Sequence, residues 1–308
     1  MGREDAMSQR LEVIDPAAAP PVWAALRNEA HAASKNEAAL ASLLAAVILN
    51  HKNLGDALSY QLARKLGDQE LRAMSIRDIA EEAFDSDPAL VETAEADLRA
   101  VFERDPACKG YVQPFLFFKG FQALQTQRVA HWLWKQGRET LAFYLQSRSS
   151  EIFQVDIHPA TVIGKGVFID HGTGIVIGET AVIGDDVSML QGVTLGGTGA
   201  ERGDRHPKIG KGVLLGAGAK VLGNITIGNN SIIGANAVVI RDVPDHSTVV
   251  GVPGRIAKIK DKHFQGINLD HTHLPDPLTE RLERLQHEID TIEQHLKEHR
   301  KLQTPQTQ

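Results

Sequence analysis

The chain has little cysteine: Cys108 is the single thiol among 308 residues. One thiol cannot close an intrachain disulfide, so the sequence fits a reducing compartment rather than a disulfide-stapled secreted fold. The chain also lacks an apolar run of the roughly 18 residues that a membrane-spanning helix needs, and it lacks a secretory leader pattern. We therefore expect a cytoplasmic protein with no membrane partner.

An excess of positive charge is also missing. Lysine and arginine number 33 against 39 acidic residues, which gives a formal net charge of -6. Without a basic stripe or a Lys/Arg block, the sequence does not predict binding to nucleic acid or to an anionic membrane. A small molecule or another protein is the expected partner.

Three regions of different composition follow one another, and together they predict an α+β protein. Residues 1–21 are small and polar with three prolines, which is typical of a flexible arm. Residues 22–150 are rich in Ala, Leu, Glu and Arg at helical spacing, which predicts an α-helical domain. We expect one long helix from about 114 to 150, and helix starts at Asp87-Pro88 and Asp105-Pro106.

Residues 151–260 repeat with a period of six. Each hexad is headed by an apolar residue, and most heads are followed by glycine. The heads are Ile157, Ile163, Ile169, Ile177, Ile183, Met189, Leu195, Ile209, Leu215, Val221, Ile227, Ile233 and Val239. Such a short and regular unit predicts a parallel β-helix, in which each hexad forms one flat side and three sides close a triangular coil.

Two breaks interrupt the repeat, and both carry a histidine. The step from Ile169 to Ile177 is eight residues instead of six, and the surplus falls around His171. Between Leu195 and Ile209 the step is fourteen, so residues 198–208 must form an external loop that contains His206. Because solenoids usually place insertions on their functional face, both breaks are candidate sites.

His171 and Asp156 are the best candidates for a general base and the carboxylate that orients it. Fifteen residues separate them, a little less than an 18-residue coil, so we expect them on neighbouring coils at the same side. A solvated histidine in a polar turn is the alternative. Arg205 and His206 in the external loop have the chemistry to bind a carboxylate or to stabilise an oxyanion.

Several motifs in order make the resemblance to a known family specific, and they span about residues 22–268. The motifs are Gln154-Val-Asp-Ile-His-Pro159, Asp170-His-Gly-Thr-Gly174, Leu195-Gly-Gly-Thr-Gly199, Gly203-Asp-Arg-His-Pro-Lys208 and Gly251-Val-Pro-Gly254, preceded by Asp105-Pro106 and Lys119-Gly-Phe-Gln-Ala-Leu124. Together they resemble the serine O-acetyltransferase family, whose β-helix is left-handed.

The resemblance implies that acetyl moves directly from acetyl-CoA to the L-serine hydroxyl, as the first step of cysteine synthesis from serine, with no metal. His171 would be the general base and Asp156 its support. The residues expected to bind serine are Asp105 and Asp170 at its amino group, with Arg205 and His206 at its carboxylate. The expected CoA contacts are Gly197, Thr198, Ala217, Gly218 and Ala235, although small residues also serve the coil itself.

The resemblance also implies partners. L-cysteine is expected as a feedback inhibitor at the serine site. The β-helices would form trimers with active sites between subunits, and the helical domains would join two trimers into a hexamer. Family members that bind cysteine synthase use a tail ending in isoleucine, whereas this sequence ends Thr304-Pro-Gln-Thr-Gln308, so cysteine synthase is not an expected partner.

The tail, residues 261–308, has a pattern of its own. Its apolar residues recur at steps of four and three, and they are Leu278, Leu282, Leu285, Ile289, Ile292 and Leu296. This spacing predicts a short coiled-coil-like helix over about 277–303. We expect it to self-associate, while packing on its own subunit is the alternative.

The sequence is also compatible with other functions. A γ-type carbonic anhydrase shares the β-helix and binds zinc through three histidines, for which His158, His171 and His206 are superficial candidates. An acyltransferase with a different acceptor, or a scaffold without catalysis, is a further alternative.

Overall fold

A computed structural model describes residues 21–199, 202–259 and 277–303. The expected arm therefore lies outside the described residues except for Pro21, and so do residues 261–276 and 304–308 of the tail. Among the helices in the described ranges, none combines the length and the apolar character that crossing a bilayer requires.

The N-terminal domain is helical, as predicted. Its α-helices are α1 (Val22–Asn36), α2 (Ala41–Leu44), α3 (Leu54–Leu66), α4 (Ala73–Ser86), α5 (Ala89–Arg104), α6 (Val112–Phe117), α7 (Lys119–Lys135) and α8 (Glu139–Phe153). Helix α7 is buried along most of its length, including polar Gln122 and Gln125, because it lies between the other helices and the β-helix.

The prediction of one long helix from about 114 to 150 was wrong, because the segment forms α6, α7 and α8. Phe118 takes an extended conformation with ψ of 107° and separates α6 from α7. Gly137, with φ of 73°, forms the turn between α7 and α8. An apolar pattern continues through both breaks because all three helices bury one face in the same core.

Of the two predicted helix starts, one was right. Asp87 accepts a hydrogen bond from the backbone N–H of Ala89 at the first residue of α5 (3.2 Å). Asp105 instead follows the last residue of α5, and its side chain accepts from the N–H of Ala107 (2.8 Å) in a turn. The Asp-Pro pair there initiates a turn, which is the other structure that this pair favours.

The hexad region forms the predicted parallel β-helix. Its strands are β1 (Val155–Ile157), β2 (Val162–Ile163), β3 (Phe168–Ile169), β4 (Ile175–Ile177), β5 (Val182–Ile183), β6 (Ser188–Met189), β7 (Thr194–Gly196), β8 (Lys208–Ile209), β9 (Leu214–Leu215), β10 (Lys220–Leu222), β11 (Thr226–Ile227), β12 (Ile232–Ile233), β13 (Val238–Val239), β14 (Ser247–Val250) and β15 (Arg255–Ile259).

Three sheets make the sides of the prism. Face 1 has the order β1-β4-β7-β10-β13, face 2 the order β2-β5-β8-β11, and face 3 the order β3-β6-β9-β12-β14-β15. All pairs are parallel except the last, in which β15 runs antiparallel to β14. We call the corner where the chain passes from face 3 to face 1 the 3/1 edge, and the next corner the 1/2 edge.

A buried ion pair attaches the helical domain to the β-helix. Asp97 in α5 accepts from Arg128 in α7 (Oδ2 to Nη2, 2.8 Å), and both side chains are at least 95% buried. The other oxygen of Asp97 accepts from the N–H of Val167 (2.9 Å), while Arg128 donates to the carbonyl of Gly164 (2.8 Å). The ion pair therefore links α5 and α7 to the backbone of the β-helix through Val167 and Gly164.

The predicted C-terminal helix is α9 (Pro277–Gln303). Four residues of its apolar seam have side chains that are between 45% and 57% exposed: Leu282, Leu285, Ile289 and Ile292. The alternative that the helix buries its seam on its own subunit is therefore not supported for these four residues.

Candidate active site

His171 lies in the bulge at the 3/1 edge, where the sequence has its first surplus residues. Its φ is 56°, and Gly172 and Gly174 follow with φ of 78° and 75°. Three left-handed residues in such a short segment turn the backbone out of the coil, and glycine adopts that conformation without strain. The N–H of Gly174 then donates to the carbonyl of Gln154 (2.8 Å) and returns the chain to the coil. The bulge leaves the His171 side chain 73% exposed.

Helix α7 packs directly against this bulge. A Cβ at Gly120 would lie 2.1 Å from the carbonyl oxygen of Ile169, so only glycine permits the approach. Lys119, the first residue of α7, donates a hydrogen bond to the hydroxyl of Thr173. The helical domain thus holds the segment that carries His171.

A cavity of 260 Å³ is lined by both predicted ligands of the amino group, and one of them, Asp170, directly precedes His171. Asp105 and Asp170 line it together with Arg104, Ser188 and apolar residues that include Phe168 and Met189. Asp170 Oδ1 also lies 3.8 Å from His171 Nε2. Two carboxylates in one small cavity suit an ammonium group, and the role of Asp105 and Asp170 as its ligands stays a prediction.

The coil that separates Asp156 from His171 is longer than the eighteen residues that the sequence suggested. The first coil takes twenty residues, because Val155 pairs with Ile175 and the bulge adds length. Asp156 consequently lies beside Val176 on face 1, whereas His171 lies in the corner that precedes this face. Asp156 accepts a hydrogen bond from Gln146 (2.6 Å), and within the described ranges it makes none to His171. Its role as the orienting carboxylate stays a prediction.

Arg205 and His206 lie at the 1/2 edge, on the opposite side of face 1 from His171. Arg205 forms an ion pair with Glu179 (Nη2 to Oε2, 2.8 Å), and His206 is only 6% exposed. The hydrogen bond from Arg205 lowers the pKa of Glu179. Burial lowers the pKa of His206, and the positive charge of Arg205 lowers it further. The site in one chain is therefore divided between two edges.

Two residues near the 1/2 edge, Glu179 and Thr180, were missed in the sequence analysis. Glu179 and Thr180 follow the hexad head Ile177 and hold the external loop, and the only sequence signal for them is their place at this corner. The ring of His158 packs edge-on against Trp134 and Phe143, with centroids 5.2 and 5.3 Å away. Burial lowers the pKa of His158.

The predicted CoA contacts follow the same division. Ala217, Gly218 and Ala235 lie at the 3/1 edge, in coils further along the solenoid from the His171 bulge. Gly197 and Thr198 begin the external loop at the 1/2 edge, where a Cβ at Gly197 would approach Arg205 Cγ to 2.9 Å. Small residues at the corners leave the backbone accessible along each edge.

The three histidines considered as zinc ligands lie at two different edges of one chain. His171 lies at the 3/1 edge, and His206 and His158 lie near the 1/2 edge. Within the described part of the chain, no group of three or more His, Cys, Asp or Glu side chains is close enough to hold a metal ion.

Comparisons with known proteins identify the family of this chain. The model for the N-terminal domain of serine acetyltransferases matches residues 22–126, and the bacterial transferase hexapeptide model matches residues 206–241. A serine acetyltransferase of Escherichia coli K12 is 52% identical over 256 residues, which cover 80% of this chain and 94% of the relative.

Solved structures extend the similarity. The serine acetyltransferase of Neisseria gonorrhoeae in complex with serine is 50% identical with a TM-score of 0.76, over 78% of this chain and 99% of that one. A serine acetyltransferase in complex with cysteine is 53% identical with a TM-score of 0.77, over 78% and 93% of the two chains. These matches cover both domains and most of each relative, and the chain belongs to the serine acetyltransferase family.

Proposed function

We propose that the protein transfers the acetyl group of acetyl-CoA to the hydroxyl of L-serine and produces O-acetyl-L-serine and CoA. The observation that carries this function is the cavity lined by Asp105 and Asp170, because Asp170 Oδ1 lies 3.8 Å from Nε2 of the exposed His171 imidazole. The cavity suits the ammonium group of an amino acid, and the imidazole would receive the proton of its hydroxyl.

His171 acts as general base in one direct transfer. It takes the hydroxyl proton as the serine oxygen attacks the thioester carbonyl carbon, and a C–O bond forms. Collapse of the tetrahedral intermediate breaks the C–S bond, and the protonated imidazole returns its proton to the leaving thiolate. No acyl-enzyme is needed. Asp156 is the proposed carboxylate that stabilises the charged imidazole, and Asp156→Asn tests this role through kcat.

The divided site supports a trimer. In a ring with one repeated contact, one edge of a subunit meets a different edge of its neighbour. The 3/1 edge of one copy, with His171 and Asp170, would then face the 1/2 edge of the next, with Arg205 and His206. Outward-facing apolar residues on faces 1 and 2 fit such a contact, since Val162, Val176 and Val182 are between 38% and 51% exposed.

The assembled groove would hold both substrates. The serine carboxylate meets Arg205 and His206 from one copy, while its ammonium group meets Asp105 and Asp170 from the other. Acetyl-CoA lies along the small residues of the two edges, which are Gly197, Thr198, Ala217, Gly218 and Ala235. The helical domains would join two trimers into a hexamer, and light scattering measures this mass.

L-cysteine is the proposed inhibitor at the serine site. It carries the same ammonium and carboxylate groups as serine and differs only at the reactive atom. The complex of a relative with cysteine supports this proposal.

The deciding experiment measures acetyl-CoA consumption with L-serine against other hydroxyl acceptors, with and without L-cysteine. We expect activity with serine, inhibition by cysteine, and loss of activity in His171→Ala. Consumption that does not depend on serine would refute the proposed acceptor. Full activity in His171→Ala would refute the proposed base.

A further inference from the structure

Two groups of Thr180 contact the same nitrogen of the His206 imidazole. Its backbone N–H donates to His206 Nδ1 (3.2 Å), and its hydroxyl oxygen lies 2.8 Å from the same nitrogen. The hydroxyl also accepts from the backbone N–H groups of Arg205 (3.0 Å) and His206 (3.1 Å). One threonine therefore holds both the ring and the backbone of the two residues proposed to bind the serine carboxylate.

The backbone donor determines which ring nitrogen carries the proton. A backbone N–H can only donate, so His206 Nδ1 must accept with its lone pair. The proton of the neutral ring is then on Nε2. If Nδ1 carried a proton, that proton would meet the N–H of Thr180, and the hydroxyl oxygen of Thr180 already uses both lone pairs to accept from the backbone N–H groups of Arg205 and His206.

The other side of the ring lies against glycine. A Cβ at Gly178 would lie 1.9 Å from His206 Nε2, and one at Gly197 would lie 3.0 Å from it. Gly197 belongs to the proposed CoA contacts, so Nε2 lies next to a residue of the proposed groove.

The surroundings of His206 favour the neutral form. Burial and the positive charges of Arg205 and Lys208 lower its pKa, and His158 acts in the same direction, while Glu179 opposes them. A neutral ring with its proton on Nε2 has one N–H to donate, and that N–H is not engaged by Thr180.

We infer that Thr180 is a positioning residue, which holds His206 in the Nε2–H tautomer and so presents one N–H to the carboxylate of the acyl acceptor. This inference rests on the proposed function, because it assigns a task to His206 within it. The hydroxyl orients the ring, and the backbone N–H selects the tautomer.

The test compares Thr180→Val with Thr180→Ser in the full-length enzyme. Valine keeps the shape and removes the hydroxyl, so we expect KM for L-serine to rise about tenfold while kcat changes less. Serine keeps the hydroxyl, so its KM should stay within about twofold of wild type. Thr180→Ala replaces Thr180→Val if the valine variant does not fold.

Ser231→Ala is the matched control, because it removes a buried hydroxyl from the same solenoid. Ser231 accepts from the N–H of Ser247 (3.1 Å) and donates to the carbonyl of Pro244 (2.9 Å), away from both edges of the proposed site. We expect it to lower Tm and to leave KM for serine unchanged. Equal KM increases in Ser231→Ala and Thr180→Val would mean that loss of any coil hydroxyl suffices, and would overturn the inference.

A double-mutant cycle with His206→Gln separates action through the ring from support of the loop. Glutamine retains an amide donor but has no atom equivalent to Nδ1, so Thr180→Val should change KM less than about twofold in this background. An undiminished tenfold effect there would overturn the inference. Wild-type enzyme without serine-dependent turnover would instead overturn the proposed function, so the two failures are distinguishable.

Discussion

Gly120→Ala should reduce catalysis although residue 120 has no group that reacts. The added Cβ would lie 2.1 Å from the carbonyl oxygen of Ile169, whereas real Cβ contacts essentially never fall below 3.0 Å. Helix α7 and strand β3 must therefore separate by about 1 Å. Ile169 is two residues before His171, so the separation displaces the bulge that carries the proposed base.

The expected magnitude follows from this displacement. A misplacement of about 1 Å can cost on the order of a hundredfold in rate, and overpacking costs about 1–3 kcal/mol of stability. We expect kcat at saturating L-serine and acetyl-CoA to fall between tenfold and a hundredfold. The KM for acetyl-CoA should change less, because the proposed CoA contacts lie in later coils and in the external loop.

The assay needs a control for backbone effects. Gly137→Ala introduces strain at a left-handed position, with φ of 73°, but its Cβ meets no atom within 4 Å. It should lower Tm without lowering kcat. If Gly120→Ala folds, with a cooperative thermal transition, and retains wild-type kcat, then packing of α7 does not position His171 and the reasoning fails.

Three further predictions concern stability and assembly. Asp97→Ala leaves the buried guanidinium of Arg128 uncompensated and should cost about 3–5 kcal/mol in urea unfolding, whereas a cost below 1 kcal/mol would contradict the role of this pair. Burial lowers the pKa of His158 and His206 from 6.5, so the unfolded chain binds more protons below that pH. Tm should therefore fall as pH drops below about 6.5, and a fall of the same size in His158→Gln would show that His158 does not contribute. Deleting residues 275–308 should preserve acetyltransferase activity but weaken the oligomer, and an unchanged mass in light scattering would refute self-association through α9.

The amino-acid sequence alone was sufficient to predict a helical domain followed by a parallel β-helix. A hexad repeat specifies a β-helix locally, because each six-residue unit contains its own inward apolar residue and its own corner. The helical spacing of apolar residues in 22–150 is also a local signal, and it predicted the helical domain. The ends of helices inside that pattern were harder to predict. Phe118 and Gly137 end helices, but the spacing of buried apolar residues continues past both of them.

The candidate site could be predicted in part. Breaks in the repeat pointed to His171 and His206, because a residue that does not fit the coil must leave it. Glu179 and Thr180 could not be found this way, because they occupy regular positions of the repeat. Their roles come from hydrogen bonds to Arg205 in the external loop, which the repeat does not predict.

Only the tertiary structure decided which of these residues lie together. The sequence suggested a first coil of about eighteen residues, but the bulge lengthens it to twenty and places Asp156 next to Val176. Asp105 comes from another domain, and the packing of the helices on the solenoid brings it to Asp170. A repeat determines distances along the coil axis, whereas the path around the edges depends on bulges and on contacts between distant segments, which no local pattern encodes.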